Sequence, residues 1–135
     1  MNLSEICGEP IDIRTRADAI KAGDLVEVPT DTAQEAGFTT SVALTRAVWE
    51  DCVAWGDADA EHTGALQDEE GRLWDVLWLA ARAFRSANGV EVAFAVYRVA
   101  RDSRPGPDGD IEATPTHLVA SLTSEGVTIA QPNED

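Results

Sequence analysis

The segment from Asp68 to Ala87 constrains the fold more than any other part of the chain. Leu73, Leu77, Ala80 and Phe84 recur at helical spacing on one face. Trp74, Trp78 and Ala81 make a second apolar stripe beside it, and Val76, Ala80 and Ala83 a third. Only a narrow polar line through Arg72, Asp75, Arg82 and Ser86 is left. A helix apolar over most of its circumference belongs between other layers. The segment is therefore expected to be the central core helix, with Trp74, Trp78 and Phe84 buried. Truncating any of those rings to alanine would then cost about 3–5 kcal/mol, and Trp78→Ala is expected to be insoluble or molten.

The chain before this helix breaks into short pieces. Thr15 precedes a helical run with Asp18 at the capping-box position and Gly23 as its left-handed stop. Residues 25–28 suit a strand, and Thr30 is placed to cap a short helix over 31–36 that Gly37 closes. Residues 39–44 show no decisive period. Thr45 is the expected N-cap of a helix over 46–54, with Ala47, Val48, Cys52 and Trp55 on one face. Residues 57–66 are small, polar and acidic between Gly56 and Gly64, and are expected to form an exposed loop.

After Asn88-Gly89 the period changes. Residues 90–99 alternate as a strand apolar on both faces, with a short strand at 11–13, a second main strand at 116–123 and a third at 127–130. Pro105, Gly106, Pro107 and Gly109 mark 102–115 as an exposed loop, while 1–10 and 131–135 are expected to be irregular termini. Short connections favour an antiparallel meander. The expected architecture is a single α+β domain over residues 1–135, with the central helix on an antiparallel sheet of three or more strands and short helices on its N-terminal side.

Charge is the unusual quantity. Twenty-five acidic residues face ten basic ones, a net charge of −15, and Lys21 is the only lysine. Direct binding to nucleic acid or to an anionic membrane is disfavoured, because both rely on basic side chains. A nucleic-acid-like or basic-protein-docking surface is permitted. No apolar run approaches the length of a membrane span and no secretory leader pattern is present, which makes the cytoplasm the expected compartment. Cys7 and Cys52 have no CxxC or Cys/His spacing around them, and Cys52 is expected to be a buried reduced thiol.

Two residue sets could carry function. The first is the acidic run Glu50, Asp51, Asp57, Asp59, Glu61, Asp68, Glu69 and Glu70, which no Lys or Arg interrupts. It is either a solvated loop with acids at a helix start or a face for a basic partner. Its spacing matches no cation-binding loop, so no metal and no cofactor is assigned. The second set is an edge of Arg72, Trp74, Asp75 and Arg82 on the core helix, joined by Arg98 and Arg101 at the end of the first main strand. It is either a structural network, in which Asp75 pairs with Arg72 or Arg82, or an anion- or nucleotide-binding edge with indole stacking. No nucleophile–base motif is visible, and His62 and His117 stand isolated, so no catalytic residue is assigned.

Several segments carry a resemblance: Gly-Glu-Pro-Ile at 8–11, Thr-Arg-Ala-Asp-Ala-Ile at 15–20, Glu-Ala-Gly-Phe at 35–38, Ala-Val-Trp at 47–49, Gly-Arg-Leu-Trp-Asp-Val-Leu-Trp at 71–78, Tyr-Arg-Val at 97–99 and Pro-Asn-Glu-Asp at 132–135. The chain resembles an uncharacterised bacterial, plasmid and phage family, domain-of-unknown-function family 6573. The resemblance spans nearly the whole chain, with 104–115 looser than the family pattern. It implies a single-domain protein that travels on mobile elements and brings no activity or site residues. The leading expectation is a non-enzymatic acidic protein that engages a basic surface of a host protein, such as a nucleic-acid-binding, defence or regulatory protein. The alternative is a small-ligand binder or small enzyme using the Arg/Asp/Trp edge.

Overall fold

The computed structural model describes residues 15–87 and 89–134. The lead-in over 1–10, the short strand at 11–13, Cys7 and Asn88 lie outside them. Helix α1 (Arg16–Ala22) begins at Thr15, whose side chain accepts from the Asp18 N–H while the Asp18 carboxylate accepts from the Thr15 N–H. Strand β1 (Leu25–Glu27) leads to α2 (Thr30–Ala36), which follows Pro29 without a side-chain cap, so Thr30 is the first helical residue rather than the cap. Strand β2 (Val42–Thr45) runs into a single α-turn, α3 (Arg46–Val48), capped by Thr45 as expected. That turn widens into a π-helical turn over Trp49–Val53 in place of a continuous helix to Ala54.

Residues 57–63 form helix α4 (Asp57–Thr63) instead of a loop. Its apolar content is too low for a periodic signal, but its ends are well satisfied. The Asp59 carboxylate accepts from the Gly56 N–H at 2.8 Å, and Gly64 turns the chain at φ +79°. Helix α5 (Glu69–Ser86) starts where the Asp68 carboxylate accepts from the Gly71 N–H. Strands β3 (Glu91–Arg98), β4 (Thr114–Thr123) and β5 (Gly126–Ala130) form the expected antiparallel meander, β4 beginning two residues early. The mostly exposed loop before it is as expected.

The sheet is larger than the meander and mixed. Its order is β1-β2-β5-β4-β3, with β2 parallel to β5 and the other pairs antiparallel. Val92, Ala120, Ile129 and Leu44 stand opposite one another across four strands, all buried. Helix α5 lies against this face through Leu73, Val76, Leu77, Ala80 and Ala81. On α1, Arg16 donates to the Thr128 hydroxyl and the Val127 carbonyl, which ties that helix to β5. The tail is less irregular than expected: the Glu134 carboxylate accepts from the Gln131 N–H and the Thr45 hydroxyl, holding residues 131–134 in a turn against β2.

The tryptophans of α5 are not in the core. Trp74 is 37% and Trp78 40% exposed. A helix on one face of a sheet buries one side, and the Leu73/Val76/Leu77/Ala80 side supplies it. The Trp74/Trp78/Arg82 stripe faces outward, with the Arg82 guanidinium 4.7 Å from the Trp78 ring centroid.

Candidate functional site

The π-helical turn at 49–53 is where distant parts of the chain meet. An i→i+5 pattern disrupts regular carbonyl pairing, and arginines take up the carbonyls. Arg72, from the first turns of α5, donates through Nε to the Val53 carbonyl (3.1 Å) and through Nη2 to the Asp51 carbonyl (3.2 Å). Its Nη1 reaches the Val99 carbonyl and the Gln67 side chain, both at 3.0 Å. The guanidinium lies 4.6 Å from the centroid of the Trp55 ring, and the residue is 5% exposed. Burial holds its pKa below that of a free arginine.

Arg98 and Arg101 bring positive charge to the same turn. Arg98 grips the Asp51 carboxylate with Nε at 3.1 Å and Nη2 at 3.2 Å to separate oxygens, the two-pronged geometry an arginine favours. Arg101 bridges the Asp59 carboxylate and the Glu50 carboxylate at 3.0 Å each. Glu50 also meets Arg46 at 3.4 Å. The Gly56 N–H, ahead of Arg101, holds the Asp59 carboxyl below the usual range, and Asp59 in turn raises Arg101.

The acidic run uninterrupted in sequence is thus interrupted in space. Glu50, Asp51 and Asp59 are engaged by arginines; Asp68 caps α5; and the Glu69 carboxylate accepts from the Trp55 N–H at 3.4 Å. Asp57, Glu61 and Glu70 are exposed with no partner among the described residues.

The second set is also divided. Arg72 is locked below the surface and Arg98 is held by Asp51. Asp75 forms no ion pair with Arg72 or Arg82 among the described residues, and Arg82 sits away on Trp78. Members of both sets do meet at the start of α5. Asp68, Trp74 and Asp75 line an open depression of about 330 Å³ with Leu66, Gln67 and Gly71, and Arg72 lies beneath it. Leu66, an apolar group in the segment expected to form a loop, is 93% exposed there. A smaller hollow of about 70 Å³ between Arg72, Arg98, Asp75 and Val96 reaches Cys52. Burial first, then the Asp51 charge, pushes the Cys52 thiol up to about 11. It is a protonated core thiol at neutral pH. Among the described residues no three His, Cys, Asp or Glu side chains gather in an arrangement that could hold a metal ion. Nor is any helix there long and apolar enough to cross a membrane.

The fold and this turn define a small α+β domain with an arginine-clamped acidic end. The family described as Family of unknown function (DUF6573) matches residues 1–133, and the chain belongs to it. No curated protein and no solved structure matches the chain.

Proposed function

We propose that the chain is a non-enzymatic cytoplasmic binding protein of mobile-element type that docks onto a basic surface of a host protein. The observation that carries this reading is the depression at the start of α5. Two exposed carboxylates, Asp68 and Asp75, flank the exposed apolar surface of Leu66 and Trp74. A lysine or arginine has the matching shape, a cationic head for the carboxylates and an aliphatic stem for the indole. Asp57, Glu61 and Glu70 add long-range attraction, because nothing within the described residues neutralises them. Host proteins whose basic surfaces bind phosphates, such as nucleic-acid-binding, defence or regulatory proteins, are the fitting partners.

Capture from a bacterial host lysate, washed at rising salt, tests this. The variant Asp57→Lys/Glu61→Lys/Asp75→Lys is compared with Glu35→Lys/Asp110→Lys/Glu112→Lys, which makes the same change in net charge elsewhere on the surface. A basic partner should be retained by the wild type and by the second variant, should be lost from the first, and should be released by salt as exposed pairs are screened. Undiminished capture by the first variant would refute the reading.

A further inference from the structure

We propose that the cleft between the end of α2, the last turns of α5 and the β4–β5 hairpin binds a small monocarboxylate with an aromatic or branched apolar body. This site is separate from the acidic depression and does not rest on the docking function. The cleft holds about 290 Å³, close to the lower end of small-ligand pockets, which begin at roughly 300 Å³. Its floor is apolar. Phe38 and Phe84 meet edge to face at 6.4 Å and 86°, and Val127 and the exposed side of Leu122 close the hairpin side.

The side-chain polar groups on this cleft have no hydrogen-bond partner among the described residues. Arg85 is exposed and makes no hydrogen bond or ion pair among the described residues. Arg16, Arg46, Arg72, Arg98, Arg101 and Arg104 all donate to protein oxygens. The Thr39 and Thr40 hydroxyls beside it likewise make no hydrogen bond among the described residues. Gly37 closes α2 at φ +112°, and a Cβ built there would stand 3.2 Å from Arg85 Nη1. The guanidinium therefore lies beside the Gly37 backbone, whose positive φ favours glycine. Arg85 also lies in the last turn of α5, where the carbonyl dipoles favour a cation while leaving its outward donors unused.

In a protein of net charge −15, a guanidinium with no partner among the described residues, set over an apolar floor, selects an anion that brings its own apolar surface. Inorganic phosphate would leave the phenylalanines uncovered, and a neutral hydrocarbon would leave Arg85 unmatched. A monocarboxylate fills both: a guanidinium–carboxylate pair at one end and ring contact at the other.

The experiment uses phenylacetate as the probe and phenylacetamide as its uncharged counterpart, followed by amide chemical shifts of the full chain. Phenylacetate should shift Gly37, Thr39, Thr40 and Arg85 saturably. Phenylacetamide and the Arg85→Gln variant should each weaken binding by about tenfold or more, the loss expected for a charge-assisted pair. Arg85→Gln breaks no hydrogen bond or ion pair among the described residues and gives up only packing beside Gly37 and an exposed helix-end charge, so its melting temperature should fall by no more than about 4 °C; Arg82→Gln should bind phenylacetate normally. Absence of saturable shifts at these residues, equal binding of the amide, or unchanged binding by Arg85→Gln would each overturn the proposal.

Discussion

Replacing Arg72 by methionine probes the clamp at its centre. Methionine keeps an unbranched apolar stem, shorter than that of arginine, and removes every donor. The Val53 and Val99 carbonyls, both bonded to Arg72 in the buried interior, then lose their partner, at about 1–3 kcal/mol each. The Asp51 carbonyl is only partly buried and water can replace its bond. Stacking on Trp55, worth about 1 kcal/mol, is also lost. Against this, a desolvated cation no longer has to be held in the core, which returns part of the loss. The net expectation is a destabilisation of about 3 kcal/mol. For a chain of this size, that is a fall in melting temperature of about 10 °C. Urea unfolding followed by tryptophan fluorescence measures it, as a lower midpoint at unchanged slope. Gln67→Ala, which removes one acceptor on the exposed side, should cost less than about 1 kcal/mol. A loss below about 1 kcal/mol for Arg72→Met would refute the view that the guanidinium closes the π-turn.

Other consequences follow from the same contacts. Trp78→Ala should stay folded and lose only about 1 kcal/mol, since the ring is half outside and stacks on Arg82, whereas Leu77→Ala, fully buried, should lose about 2–5 kcal/mol. Thermal melts of the two variants should separate clearly; a molten Trp78→Ala would place that ring back in the core. The Cys52 thiol is raised from 9.0 to about 11, so the native state holds its proton where the unfolded state has lost it. That contribution to stability is complete below pH 9 and disappears as pH rises through 11. Cys52→Ala should therefore flatten the alkaline fall in stability between pH 9 and 11, and an unchanged fall would assign it to other groups. Arg101→Ala frees Glu50 and Asp59 and should speed amide exchange in α4 while global stability changes little. Unchanged exchange in α4 would show that Arg101 does not hold that helix.

How much of the molecule was legible in sequence depended on whether the information was local. Thr15, Asp18 and Gly23 specify α1 through contacts three residues apart, and Thr45 and Asp68 mark their helix starts in the same way. Pro105 to Gly109 announce the loop before β4 by their own backbone preferences. The alternation in β3, β4 and β5, with short turns between the last two, was enough to place the meander. Helix α4 escaped notice because its residues carry almost no apolar period, and its ends are set by Gly56, Asp59 and Gly64.

The tertiary structure decided the rest, for reasons of space rather than propensity. The apolar circumference of α5 offered three possible core sides, and only docking on the sheet chose Leu73, Val76 and Leu77 over Trp74 and Trp78. The acidic run looked continuous because its counter-charges, Arg98 and Arg101, lie about forty to fifty positions away and arrive only when β3 takes its place at the sheet edge. Arg72, Asp75, Trp74, Arg82 and Arg98 read as one edge along the chain; burial took Arg72, Asp51 took Arg98, and Asp75 and Trp74 joined Asp68 and Leu66 at the surface. Charge, capping and strand period belong to the sequence alone because each is written within a few residues. Which charges cancel, and which rings meet water, depends on long-range packing that no local pattern encodes.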